Sequence, residues 1–92
     1  MLNQFVIVGR IIEINDNYVK VSIPRQEKND KGEFICDIIQ VVLSGGLKDR
    51  TNEYCKVDDL IGVKGRFETD EIGVLKLSAE KITFLSSKKI DE

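Results

Sequence analysis

The sequence predicts an all-β protein, a five-stranded barrel with one short helix between its third and fourth strands. Three observations carry this. Short runs rich in Val and Ile recur along the chain, and two of them alternate apolar with polar residues in the way of half-buried strands. Only Leu47–Cys55 repeats at helical spacing, with Leu47, Thr51 and Tyr54 on one face. Glycines stand inside or just after strands at Gly9 and Gly65, where a bulge or sharp bend would curl a sheet into a barrel.

Each element follows in order. Phe5–Ile12 is the first strand, and Asn15-Asp16-Asn17 the turn after it, because Asn and Asp side chains bond to nearby backbone and tolerate left-handed geometry. Tyr18–Ile23 alternates, with Val19, Val21 and Ile23 inward and Tyr18, Lys20 and Ser22 outward. Pro24 is expected to end that strand or mark an edge. Arg25–Glu33 is wholly polar and holds the turn signal Asp30-Lys31-Gly32, so it reads as a long mobile hairpin tip. Phe34–Leu43 is apolar at most positions, as in a strand covered on both faces, and Gly45-Gly46 breaks it before the helix. Asp58-Asp59 is a helix-to-strand turn.

In Leu60–Glu68, Ile61, Val63 and Phe67 share one face, and Leu60, Lys64, Arg66 and Glu68 the other. Asp70–Gly73 is a tight turn, and Val74–Leu85 a last strand pair or one bent strand. Residues 1–86 therefore form one domain, and 87–92 a short polar tail. The order β-β-β-α-β-β is that of the OB-fold, a partly open barrel that mostly binds oligonucleotides or oligosaccharides.

Composition narrows the function. The 92 residues carry a net charge of −2, so there is no basic excess to announce nucleic acid, although a local patch can still act. The chain has no His and no Trp. Its two cysteines, Cys36 and Cys55, read as reduced, partly buried thiols in a cytoplasmic protein, without the spacing of a zinc site. Without a nucleophile motif, a phosphate-cradling loop or a metal constellation, no enzyme and no cofactor is expected. No signal peptide or membrane span is expected either.

The residues also resemble a family. Met1–Arg10 (MLNQFVIVGR) is similar to the opening strand of bacterial single-stranded DNA-binding proteins. Val41-Val42-Leu43, Gly45, Leu47, Glu53-Tyr54 and Gly65-Arg66-Phe67-Glu68-Thr69 follow that family's third strand, helix and fourth strand, and Ala79–Leu85 its closing strand. The resemblance implies an oligomeric, non-catalytic OB-fold protein of DNA replication, recombination or repair. It binds single strands largely without regard to sequence, as a homodimer or homotetramer, with replication proteins as further partners. The chain departs from the pattern where that family stacks bases on aromatic rings. Ile38 and Ser44 stand at two such positions, and the short Asp70–Gly73 turn leaves no place for a third. Val57-Asp58 stands where Lys-Gly is frequent, and no long tail precedes Ile90-Asp91-Glu92.

The candidate contacts are few. Tyr18 (outward on its strand) and Phe34 (at the end of the hairpin tip) are the stacking candidates. Phe5, Phe67, Phe84 and Tyr54 are expected in the core. Arg10, Lys20, Arg25, Lys64 and Arg66 are the phosphate candidates, because alternation or the Gly-Arg pairs put them on an outer face. Two readings remain: a weak, charge-led binder of single strands, or an accessory interaction module of the PriB type with little DNA affinity.

Overall fold

The structure, a computed structural model, describes residues 1–87. The expected tail at 87–92 falls almost wholly outside the described residues. The elements are β1 (Phe5–Ile14), β2 (Tyr18–Lys28), β3 (Phe34–Val42), α1 (Gly45–Tyr54), β4 (Leu60–Thr69) and β5 (Leu75–Ser86). The five strands close into a barrel in the order β1-β2-β3-β5-β4, with β3 and β5 parallel and the other pairs antiparallel. This is the predicted fold, with the helix at its predicted place.

Side-chain chemistry sets the turns. Asn15, Asn29 and Asp70 each accept backbone N–H groups a few residues ahead through a side-chain oxygen, closing the β1–β2, β2–β3 and β4–β5 turns. Asp58 takes a positive φ of 79°, which Asp tolerates. In the same turn Asp59 Oδ2 accepts the Lys56 N–H at 2.8 Å, while the two backbones pair with Ile11. The acidic pair is a turn holding β1, as its sequence suggests.

The core is small and built by alternation. Ile11, Val19, Val21, Val41, Ile61 and Val63 are the largest fully buried side chains, joined by Phe5, Leu43, Cys55 and Ala79. The glycines of the Gly-Arg pairs matter through close approach. A Cβ on Gly9 would meet the Ser22 carbonyl oxygen at 2.8 Å, and one on Gly65 would meet the Phe5 ring at 2.8 Å and run into the Ser78 carbonyl. The β4–β5 register shifts at Lys64/Gly65, so Gly65 sits at an irregularity where the wall bends.

Several expectations are corrected. β2 does not stop at Pro24. It pairs Pro24 with Cys36 and resumes at Lys28 opposite Phe34 after an irregularity, so the proline is absorbed where the ladder is already broken. The helix starts at Gly45, which takes the left-handed φ of 60° there. β3 is covered on one face only: Phe34, Cys36, Ile38 and Gln40 are exposed. Cys36 is therefore an exposed thiol rather than a partly buried one. Phe67, Phe84 and Tyr54 are not core residues. Phe67 packs at 5.6 Å from Phe5 at one end of the barrel yet stays 40 % exposed. Phe84 and Tyr54 line an open cleft with Leu47, Arg50 and Ile82. Of the two forms expected for the β5 segment, the structure shows the single strand, with two irregularities in its pairing to β4.

Candidate nucleic-acid interface

Alternation assigns each candidate to a side of the barrel wall. Val19, Val21, Val41, Ile61 and Val63 point in. Tyr18, Lys20, Ile38, Gln40, Lys64 and Arg66 therefore point out. The register then aligns them across strands. One outer row runs Tyr18–Val42–Ser78–Arg66, from β2 over β3 and β5 to β4. The next runs Glu13–Lys20–Gln40, and a third Arg10–Ser22–Ile38. With strands about 4.8 Å apart, Tyr18 and Arg66 lie roughly 14 Å apart around the wall. Lys64 stands two residues from Arg66, opposite Lys81 of β5 and Val6 of β1.

The chemistry along this band is mixed. Ile38 is 53 % exposed and Phe34 59 % exposed on the outer face of β3. Exposed apolar side chains in a row, rimmed by cations, offer faces on which bases can lie. The Lys28 ammonium sits 5.0 Å from the Phe34 ring centre, and the Lys20 ammonium 5.7 Å from that of Tyr18. Both are cation–π distances.

The cations are not equally free. Lys20 Nζ lies 3.8 Å from Glu13 Oε1. Tyr18 donates its hydroxyl to Glu13 Oε2 at 2.7 Å, a bond that raises the pKa of the phenol and keeps it a donor. Arg66 Nε is 3.6 Å from Glu68, a loose pair across exposed side chains. Arg10 donates from Nη1 to the Asp58 carbonyl at 3.0 Å, which leaves its other N–H groups for an anion.

Arg25 departs most from its expected role. It grips Asp37 with Nε and Nη2 at 2.8–3.2 Å and stands 3.6 Å from Glu27. Its hydrogen bonds hold the Asp37 carboxyl below the usual carboxylate range. Asp37 opposes Ile23, an inward position, so this pair sits on the reverse side of the β2–β3 hairpin from Tyr18 and Lys20. Of the seven candidate residues, Tyr18, Lys20 and Arg66 thus share the band. Arg10, Lys64 and Phe34 border it, and Arg25 faces away.

The sequence reading missed Ile38, Gln40, Val42, Ser78 and Glu13 as members of the surface. β3 is apolar at both odd and even positions, so alternation alone does not tell in from out. The one usable signal was Gln40, whose parity matches Ile38. Among the described residues no group of His, Cys, Asp and Glu could hold a metal ion, and no helix is long and apolar enough to cross a membrane.

No family model matches the chain. Individual proteins do. The chain is 28 % identical to single-stranded DNA-binding protein B of Bacillus subtilis, over 96 % of this chain and 94 % of that protein. It is 26 % identical to single-stranded DNA-binding protein 1 of Staphylococcus aureus, covering all of this chain and 70 % of the relative. By its sequence the chain resembles the single-stranded DNA-binding protein family over nearly its whole length. The fold of that family recurs in solved structures. The mitochondrial single-stranded DNA-binding protein Rim1 of S. cerevisiae superposes with a TM-score of 0.70 at 22 % identity, over 98 % of this chain and 100 % of that one. A small single-stranded DNA-binding protein from Streptomyces coelicolor gives 0.67 at 14 % identity, over 91 % and 94 %. This chain carries Ile38, not an aromatic ring, at the centre of its exposed β3 face.

Proposed function

We propose that this chain binds single-stranded DNA, largely without regard to sequence, through the outer band of β2, β3, β5 and β4. One observation carries the reading: half-buried Tyr18 and exposed Ile38 stand on the same outer face as Lys20 and Arg66, so bases and phosphates of one unpaired strand find partners together. Unpaired bases supply the faces that Tyr18 and Ile38 can cover, and a closed duplex does not. The chemistry is binding alone, with no bond made or broken. The relatives named for single-stranded DNA binding support this reading.

Two substitutions test it by different signatures, in titrations of a labelled oligo-dT. Tyr18→Ala removes a stacking surface and is expected to weaken binding by about 1–3 kcal/mol with the salt dependence unchanged. Arg66→Ala removes a phosphate contact and is expected to flatten the slope of log K against log salt by about 0.7. Neither effect appearing would sink the assignment of this band.

The partner copy is a second part of the proposal. On the outer wall of β1, β4 and β5, Val6, Val8 and Leu85 are exposed. Gly62 between them leaves the wall flat, with Val8 and Leu85 carbons both within 4 Å of where its Cβ would stand. A contiguous apolar patch on so small a barrel suits self-association, and a homodimer would let two bands share one strand.

A further inference from the structure

We propose that Glu13 sets the preference of this surface for single-stranded over double-stranded DNA, an inference that rests on the function proposed above. Glu13 stands on β1 at the edge of the band, directly beside its Tyr18 and Lys20. It opposes Lys20 across β1 and β2, in the row that continues to Gln40, and lies between the row of Arg10 and that of Tyr18. Its two oxygens do different work. Oε2 accepts the Tyr18 hydroxyl at 2.7 Å and pins the ring. Oε1 lies 3.8 Å from the Lys20 ammonium and cancels its charge locally.

The two kinds of DNA meet this carboxylate differently. An unpaired strand can turn its bases to the wall. Tyr18 then stacks from a fixed position, and the carboxylate can accept an N–H from the edge of an unpaired base, such as the thymine N3–H. A duplex keeps its bases inside and presents phosphates, at one charge per about 1.7 Å of axis. At the β1–β2 edge of the band those phosphates face an anion, with the nearest ammonium already engaged. Glu13 is thus a repulsive element against the wrong partner and a positioning residue for the right one.

The experiment measures binding of labelled oligo-dT and of a matched duplex at about 20 mM salt, for the full chain and three variants. Glu13→Gln keeps an oxygen for the Tyr18 hydroxyl but removes the charge. Duplex binding is expected to tighten about tenfold, as expected from one freed ammonium at low salt, while oligo-dT binding stays within about threefold. Glu13→Ala also frees Tyr18, so it gains duplex affinity and loses oligo-dT affinity. Glu53→Gln on the exposed face of α1 makes the same change in net charge away from the band and should leave the ratio of the two affinities where it was.

An unchanged ratio in Glu13→Gln overturns the inference. So does an equal shift in Glu53→Gln, which would make it an effect of net charge. Failure of the wild-type chain to prefer oligo-dT overturns the proposed function itself, a distinct result. Glu13 is exposed, so all variants are expected to keep the wild-type circular dichroism spectrum.

Discussion

At the scale of single residues, carboxylates decide how much of the positive charge on β2 a ligand can use. Arg25 illustrates it: its side chain is spent on Asp37 and Glu27, on the reverse of the hairpin from the band. The pair holds the long β2–β3 hairpin together across its two strands, and this has a pH signature. The Asp37 pKa is depressed in the folded chain, first by its hydrogen bond to Arg25. Its contribution is therefore complete above the unfolded carboxylate value of about 3.9, and lost as pH falls through the lower folded value. Asp37→Asn is expected to lower the melting temperature at pH 5–7 by a constant margin that shrinks below about pH 4. A margin that persists unchanged in strong acid would mean that packing, not charge, was lost. None of this pairing was legible in the sequence. Strand alternation gives the side of the wall, but Asp37 falls on the inward side of β3 beyond the packed core, where no hydropathy pattern marks it.

At the scale of elements, the strand order, the helix and the turns were legible, because each rests on local chemistry: Val- and Ile-rich runs, Asn and Asp turn residues, and one helical repeat. What was not legible is where the barrel ends along each strand. Phe67 and Phe84 have inward parity, opposite Leu77 and Ile61, yet lie toward the ends of the barrel and stay partly exposed. The helix is too short to bury its last turn: Thr51 packs inside and bonds to the Leu47 carbonyl, while Tyr54 is 67 % exposed.

The glycines separate two roles that sequence cannot. Gly65→Ala would drive a methyl into the Ser78 carbonyl and the Phe5 ring, and it is expected to cost about 1–3 kcal/mol or more in urea unfolding. Gly62→Ala, three residues earlier in the same strand, meets nothing closer than 3.8 Å and is expected to stay within about 0.5 kcal/mol of wild type. Equal losses at the two sites would contradict the close-approach account of the Gly-Arg motif.

At the scale of the whole molecule, the net charge of −2 and the sparse aromatic content go together. Neither a cationic field nor a set of stacking rings dominates the surface, so binding depends on placing a few apolar faces and a few free cations in register. Fewer contacts per copy give association more weight. If the Val6–Val8–Leu85 wall joins two copies, Val8→Glu should halve the mass seen by light scattering and weaken oligo-dT binding without unfolding the barrel. A monomeric wild-type chain would remove that part of the proposal.

The central claim is that this barrel recognises unpaired bases and not merely phosphate. Fluorescence anisotropy with labelled oligo-dT and a matched duplex, at about 20 and 200 mM salt, tests it most directly. Clear preference for the single strand is expected at low salt, with a log–log salt slope of about −2 to −3 from three or four phosphate contacts. Equal binding of the two DNAs at low salt, or no binding of either, would contradict it.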